Sequence, residues 1–129
     1  MKTSTKTKAT GFRVHAYSGC DTCRKALKFL SARGIGAEVL PIRETPPTVA
    51  ELRRMLDHVD GDLRRLFNTS GQDYRALGMA GRLPGMSIDE ALALLASNGN
   101  LVKRPFLLGP DVGLVGFRDE EWERAFPGG

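Results

Sequence analysis

Two cysteines separated by two residues, Cys20 and Cys23, stand where a short alternating apolar run gives way to an amphipathic one. Few arrangements constrain a small chain more tightly. Residues Gly11 to Tyr17 read as a strand, with Phe12, Val14 and Ala16 alternating with Arg13, His15 and Tyr17. Ser18-Gly19 breaks it. The helix that follows carries Cys23, Ala26, Leu27 and Leu30 on one face and closes at Gly34. Cys20 therefore opens a helix, where free N–H groups and the positive end of the helix dipole favour negative charge. Cysteine reacts as thiolate, so Cys20 is the expected nucleophile. Cys23 lies one turn further on, close enough for the two sulfurs to meet. It would attack a mixed disulfide at Cys20 and release the partner. A structural staple between the two would close too short a loop to stabilise much. A zinc site would need His15 and His58 to complete it, and neither has finger-like spacing. No metal is expected, and redox chemistry remains.

The rest of the chain reads as alternating elements. Ala37 to Ile42 is a second strand, followed by the turn Thr45-Pro46-Pro47. Thr48 with Glu51 forms a capping box, and Leu52, Met55, Leu56 and Val59 give the buried stripe of the next helix. Short helices are expected over 62–67 and 74–77, on either side of the polar loop Asn68-Thr69-Ser70-Gly71. Ser87 with Glu90 opens another helix, with Ile88, Ala91, Leu92 and Leu95 on its apolar face. Phe106 to Leu108 and Leu114 to Phe117 form a hairpin about Gly109–Gly113. Asp119 caps a last helix whose Trp122 and Phe126 belong to the core. Strand–helix–strand implies a parallel pair, and the hairpin adds an antiparallel one. The expected fold is α/β, a thioredoxin-like (glutaredoxin-like) mixed sheet of about four strands. A helical insert over about residues 48–98 separates its halves within one domain spanning 11–129.

Charge and composition exclude several functions. The chain has 129 residues and a net charge of +4. Three lysines and no acid fall in the first ten residues, which read as a disordered basic tail. The remainder is nearly balanced, so a nucleic-acid surface is not expected. No apolar run approaches the roughly 20 residues that span a bilayer, and no secretory signal opens the chain. A cytoplasmic monomer is the expectation.

Arg104-Pro105 precedes the third strand. The Arg104 guanidinium, a planar fork of donors, could hold an oxyanion or steady a thiolate, and the bland alternative is surface charge. His15 reads as a partly exposed strand residue. His58, near a helix C-terminus, makes a favourable dipole contact. Arg24-Lys25 reads as solvated charge that could also support a thiolate.

Together, Tyr17-Ser18-Gly19-Cys20-Asp21-Thr22-Cys23-Arg24-Lys25-Ala26, Glu44-Thr45-Pro46-Pro47-Thr48, Leu66-Phe67-Asn68-Thr69-Ser70-Gly71, Leu101-Val102-Lys103-Arg104-Pro105 and Val115-Gly116-Phe117 carry a resemblance. The chain resembles the arsenate reductase (ArsC)/Spx/MgsR family of thioredoxin-fold proteins over about residues 11–126. The resemblance implies a nucleophilic Cys20, a substrate-steadying Arg104 and a cis Pro105 beside the cysteine. It implies no bound cofactor, glutathione as a co-substrate, and glutathione/glutaredoxin or thioredoxin as reductant. Asn68, Thr69 and Ser70 would offer hydrogen bonds to a thiol substrate such as glutathione. The arsenate enzymes carry an arginine in the segment matching Leu66–Ser70, where this chain has Asn68, and Arg118 stands near the position of a further one. Those that depend on glutaredoxin also lack a cysteine at Cys23. The Spx and MgsR branch keeps the cysteine pair as a redox switch and binds the RNA polymerase alpha subunit. The implied function is a thiol-dependent oxidoreductase, and the alternative is an Spx-like redox-sensing regulator.

Overall fold

The computed structural model describes residues 11–127, so the expected basic tail at residues 1–10 lies outside the described residues. Four short strands are β1 (Arg13–Ala16), β2 (Glu38–Pro41), β3 (Phe106–Leu108) and β4 (Gly113–Val115). They form one sheet in the order β2-β1-β3-β4. β1 runs parallel to β2, with Val14 opposite Val39, and antiparallel to β3, with Val14 opposite Leu107. β3 and β4 form the antiparallel hairpin. This is the mixed thioredoxin-like sheet expected from the order of elements.

The helices are α1 (Asp21–Ala32), α2 (Val49–His58), α3 (Gln72–Ala76), α4 (Met79–Arg82), α5 (Ile88–Ser97) and α6 (Asp119–Ala125). α1 links β1 to β2 and ends where Gly34 takes a positive φ of 68° and the Ile35 N–H returns to the Leu30 carbonyl at 2.9 Å. Both expected capping boxes form, Thr48 with Glu51 at α2 and Ser87 with Glu90 at α5. Each satisfies two backbone donors that a helix start leaves free.

The sheet separates two apolar clusters. On one face, Val14, Leu107 and Leu114 pack with Ala26, Leu30 and Trp122 from α1 and α6. The Trp122 indole N–H reaches the Gly116 carbonyl at 3.0 Å, and Phe29 and Phe117 meet its ring edge-on. On the other face, Phe106, Leu108 and Val115 pack with α2, α5 and the short helices between them. The close of that helical block is wedged tightly against the end of β2: a Cβ on Gly99 would lie 1.8 Å from the Ile42 carbonyl oxygen, so only glycine fits.

Three expectations change. His15, expected partly exposed, is 1% exposed. β1 is a central strand with helices on both faces, so Val14, His15 and Ala16 are all buried and no alternation survives. Ile88 is 46% exposed because it occupies the first position after the Ser87 cap; the buried stripe begins at Ala91. Asp119 does not cap α6 but lies in its first turn, and Arg118 takes the cap position without a side-chain bond. The helix α4 and the 3-10 turns at Leu83–Gly85 and Gly99–Leu101 were not expected. They are too short to show a period.

The burial of His15 has a measurable cost. Its ring meets Phe106 edge-on, and neither ring nitrogen has a hydrogen-bond partner. Burial lowers its pKa below the ordinary 6.5; Glu51 and Glu38 pull it back up, and Arg13 pushes it further down. The unfolded chain therefore binds the proton more readily, so stability falls as pH drops through about 6.5. The slope from one such group is at most about 1.4 kcal/mol per pH unit. Urea titrations of wild type and His15→Leu between pH 7.5 and 5 should show wild type losing more stability. Parallel curves would mean that His15 is protonated equally in both states.

Candidate functional site

Cys20 occupies the N-cap of α1 in an extended conformation (φ −106°, ψ 118°). Its backbone N–H donates to the Tyr17 carbonyl at 3.1 Å, and its carbonyl accepts from Arg24 at 3.1 Å. Its Sγ accepts the Cys23 backbone N–H at 3.2 Å. The sulfur thus does what a serine or aspartate oxygen does at other helix starts, and it meets the positive end of α1. Both cysteines are free thiols; Cys20 is partly exposed and Cys23 is buried. Burial pushes the Cys23 thiol up to about 12. The Tyr17 backbone hydrogen bond and the Arg104 charge oppose that shift, and the Cys20 side chain adds to it. One helical turn therefore holds an accessible sulfur and a protonated one.

Tyr17 frames the approach. Its ring packs down on the loop so closely that a Cβ at Gly19 would lie 2.8 Å from it. The guanidinium carbons of Arg43 and Arg104 lie 4.9 and 5.7 Å from its centroid. Arg24 turns away: it pairs with Asp21 and donates to the Ser18 carbonyl at 2.8 Å. Its role is to fasten the loop before Cys20.

Arg104 is half-buried and donates to the Asn100 carbonyl at 3.1 Å. Asn100 is itself held by Asn98 and by the Asp73 carboxylate. The Arg104-Pro105 peptide is cis and Pro105 is buried. Segment 66–68 runs antiparallel alongside 101–103: Lys103 N–H donates to Leu66, and Asn68 N–H to Leu101. Phe67 and Val102 form an isolated bridge there. That pairing sets the Asn68-Thr69-Ser70 loop beside Arg104.

A cleft of about 490 Å³ opens between these parts and the first turn of α1. Thr22 of that turn lines it, whereas Cys20 and Cys23 do not, and Arg64, Arg65, Lys103, Arg104 and Arg118 supply its charge. Asp62 is the acid among the residues that line it, and its side chain caps the 3-10 turn Leu63–Leu66. Arg65 lies 3.6 Å from Glu121. Among the described residues, Arg64, Lys103, Arg104 and Arg118 make no ion pair. A cluster of cations without carboxylate partners is suited to an anion. Thr69 lines the cleft, whereas Asn68 and Ser70 do not; they carry the turn that presents Thr69. Arg64, Arg65 and Lys103 were not singled out from sequence, since exposed arginines in a short helix read as solvated charge. No group of three or more His, Cys, Asp or Glu is poised for a metal among the described residues.

The ArsC family model matches residues 15–125. The chain is 42% identical over 107 residues to the uncharacterized protein YusI of Bacillus subtilis, covering 83% of this chain and 91% of that one. It is 31% identical over 98 residues to an arsenate reductase of Neisseria meningitidis, covering 75% and 82%. It is 26% identical over 114 residues to the global transcriptional regulator Spx of Enterococcus faecalis, covering 88% and 85%. Among solved structures, an ArsC family related protein of Bacteroides fragilis superposes with a TM-score of 0.83 at 39% identity, covering 88% of this chain and 96% of that one. The matched span takes in the cysteine turn, the helical insert, Arg104-Pro105 and α6 together, and the chain belongs to the ArsC family.

Proposed function

We propose that this protein is a thiol-dependent oxidoreductase that reduces an anionic substrate, with Cys20 as nucleophile and Cys23 as resolving thiol. The observation that carries the reading is the split between the two sulfurs. Cys20 caps α1 with the Cys23 N–H on its sulfur at 3.2 Å, while the buried Cys23 thiol is pushed up to about 12. The likeness to an arsenate reductase supports the same chemistry.

In this reading the Cys20 thiolate attacks the substrate and forms a covalent adduct, displacing hydroxide from an oxyanion or a thiolate from a disulfide. Cys23 then gives its proton to the departing group and attacks the Cys20 sulfur. The substrate leaves with two electrons, and a Cys20–Cys23 disulfide remains. Arg104 offsets the charge on the substrate, Pro105 shapes the wall beside it, and the Asn68-Thr69-Ser70 loop supplies hydrogen bonds through Thr69. Glutathione with glutaredoxin, or thioredoxin, returns the pair to the dithiol. A reducing cytoplasm suits such a pair.

A coupled NADPH-oxidation assay tests this, with arsenate and model disulfides as substrates and both reductant systems supplied in turn. Cys20→Ser should lose activity by more than about a thousandfold. Cys23→Ser should stall after the first step; with a disulfide substrate this leaves a mixed disulfide on Cys20 visible by mass spectrometry. A Cys20→Ser protein with full activity would sink the proposal.

Arg104→Ala should lower kcat/KM by about a hundredfold or more, and Arg104→Lys should recover only part of it, because the planar fork is lost. Equal activity of all three forms would remove Arg104 from the reaction.

The likeness to Spx favours a second reading, a redox-sensing regulator that binds the RNA polymerase alpha subunit. Pull-down of that subunit should be stronger with the oxidised protein, and no binding in either redox state counts against it.

A further inference from the structure

The basic cleft does not end at its cations. It shares Asp62, Arg64 and Thr69 with a larger cavity of about 930 Å³ inside the helical insert. The walls of that cavity are of a different kind: Leu63, Tyr74, Met79, Leu83 and Pro84 face it. Gly61, Gly78 and Gly81 line it as well. A Cβ on Gly61, Gly78 or Gly81 would meet nothing within 4 Å, so the space beside them is open. Arg75, the second arginine on its lining, is tied to the Ser70 carbonyl at 2.9 Å and holds the loop whose Thr69 lines both spaces. The basic cleft, which Thr22 of the first turn of α1 helps to line, thus adjoins a more apolar space through Asp62, Arg64 and Thr69.

We propose that the substrate is a disulfide of an organic acid that carries an apolar group: its carboxylate binds in the basic cleft and its apolar group in the insert cavity. This rests on the reading of Cys20 as a reducing nucleophile. Charge complementarity selects the anionic end, and the adjoining apolar walls select the other. A bare oxyanion would leave the chamber unused. In the reaction the substrate S–S bond breaks as Cys20 forms a mixed disulfide, and one thiolate leaves. Cys23 then attacks Cys20, its proton goes to the second leaving sulfur, and that half departs as a thiol. The protein is oxidised by two electrons, which a thiol reductant later restores.

The test is single-turnover oxidation of the pre-reduced full chain by two disulfides of equal charge. One is the disulfide of 2-mercaptopropionic acid, and the other that of 2-mercapto-3-phenylpropionic acid. Formation of the Cys20–Cys23 disulfide is followed by quenching with iodoacetamide and mass spectrometry. Burying the ring should lower the half-saturating concentration of the phenyl compound about tenfold relative to the methyl one. Gly81→Trp places a ring in the open space and should bring that ratio to about one; Ala80→Trp, on the same wall, serves if the first variant is poorly folded. A ratio near one in wild type, or a ratio that neither variant changes, overturns the inference. If both disulfides oxidise the protein only through Cys20, the reductase reading survives that failure. If oxidation is no faster than with Cys20→Ser, both fall.

Discussion

The first turn of a helix leaves backbone N–H groups without helical partners, and in this fold one of them is closed by a sulfur. The contact between the Cys23 N–H and the Cys20 Sγ is possible only because the chain leaves β1 at the right point. β1 is the inner strand of the sheet, fixed on one side by β2 and on the other by β3. The Tyr17 carbonyl then takes the Cys20 N–H, and the chain turns directly into α1. A strand end and a helix start on either side leave Cys20 little freedom. The cost falls on residues that must be buried in an inner strand, and His15 carries most of it.

The helical insert completes what α1 begins. It leaves the sheet after β2 and returns at Gly99, where the backbone passes too close to Ile42 for any side chain. On the way it lays residues 66–68 beside 101–103, so cations from the insert and cations from the segment before β3 face the same space. It also holds Arg104 in place. Asp73 binds Asn98 and Asn100, and the Asn100 carbonyl receives the Arg104 guanidinium. A carboxylate in α3 thereby orients a cation in a different part of the chain.

Local order was legible wherever one residue type satisfies a backbone need. The cysteine turn, the two capping boxes, Gly34 and the hairpin all declared themselves, because each acts within a few residues of itself. The parallel pair and the antiparallel hairpin followed from the sequence of strands and helices, while the pairing of β1 with β3 came only with the structure. The exposure of His15 was misread because alternation marks a half-buried strand, and β1 is covered on both faces. The basic cleft was only partly legible, through Arg104 and Arg118. Arg64 and Arg65 sit some forty residues before Arg104, and only the pairing of 66–68 with 101–103 brings them to it. Charge convergence of this kind belongs to tertiary structure and leaves no spacing to read.

The same physics divides labour between the two thiols. Two residues separate them, and in that distance the environment changes from the helix's open end to the core. At Cys20 the helix offers N–H groups and a positive dipole, and unpaired cations line the space by the first turn. At Cys23 the helix presents its buried face, beside Ala26 and Leu30, and desolvation there favours the neutral thiol. A negative charge is thus penalised at Cys23, while Cys20 accepts a helix N–H at the open end, without any change of residue type. The difference lies not in residue type, since both are cysteine, but in where each falls on one turn of α1.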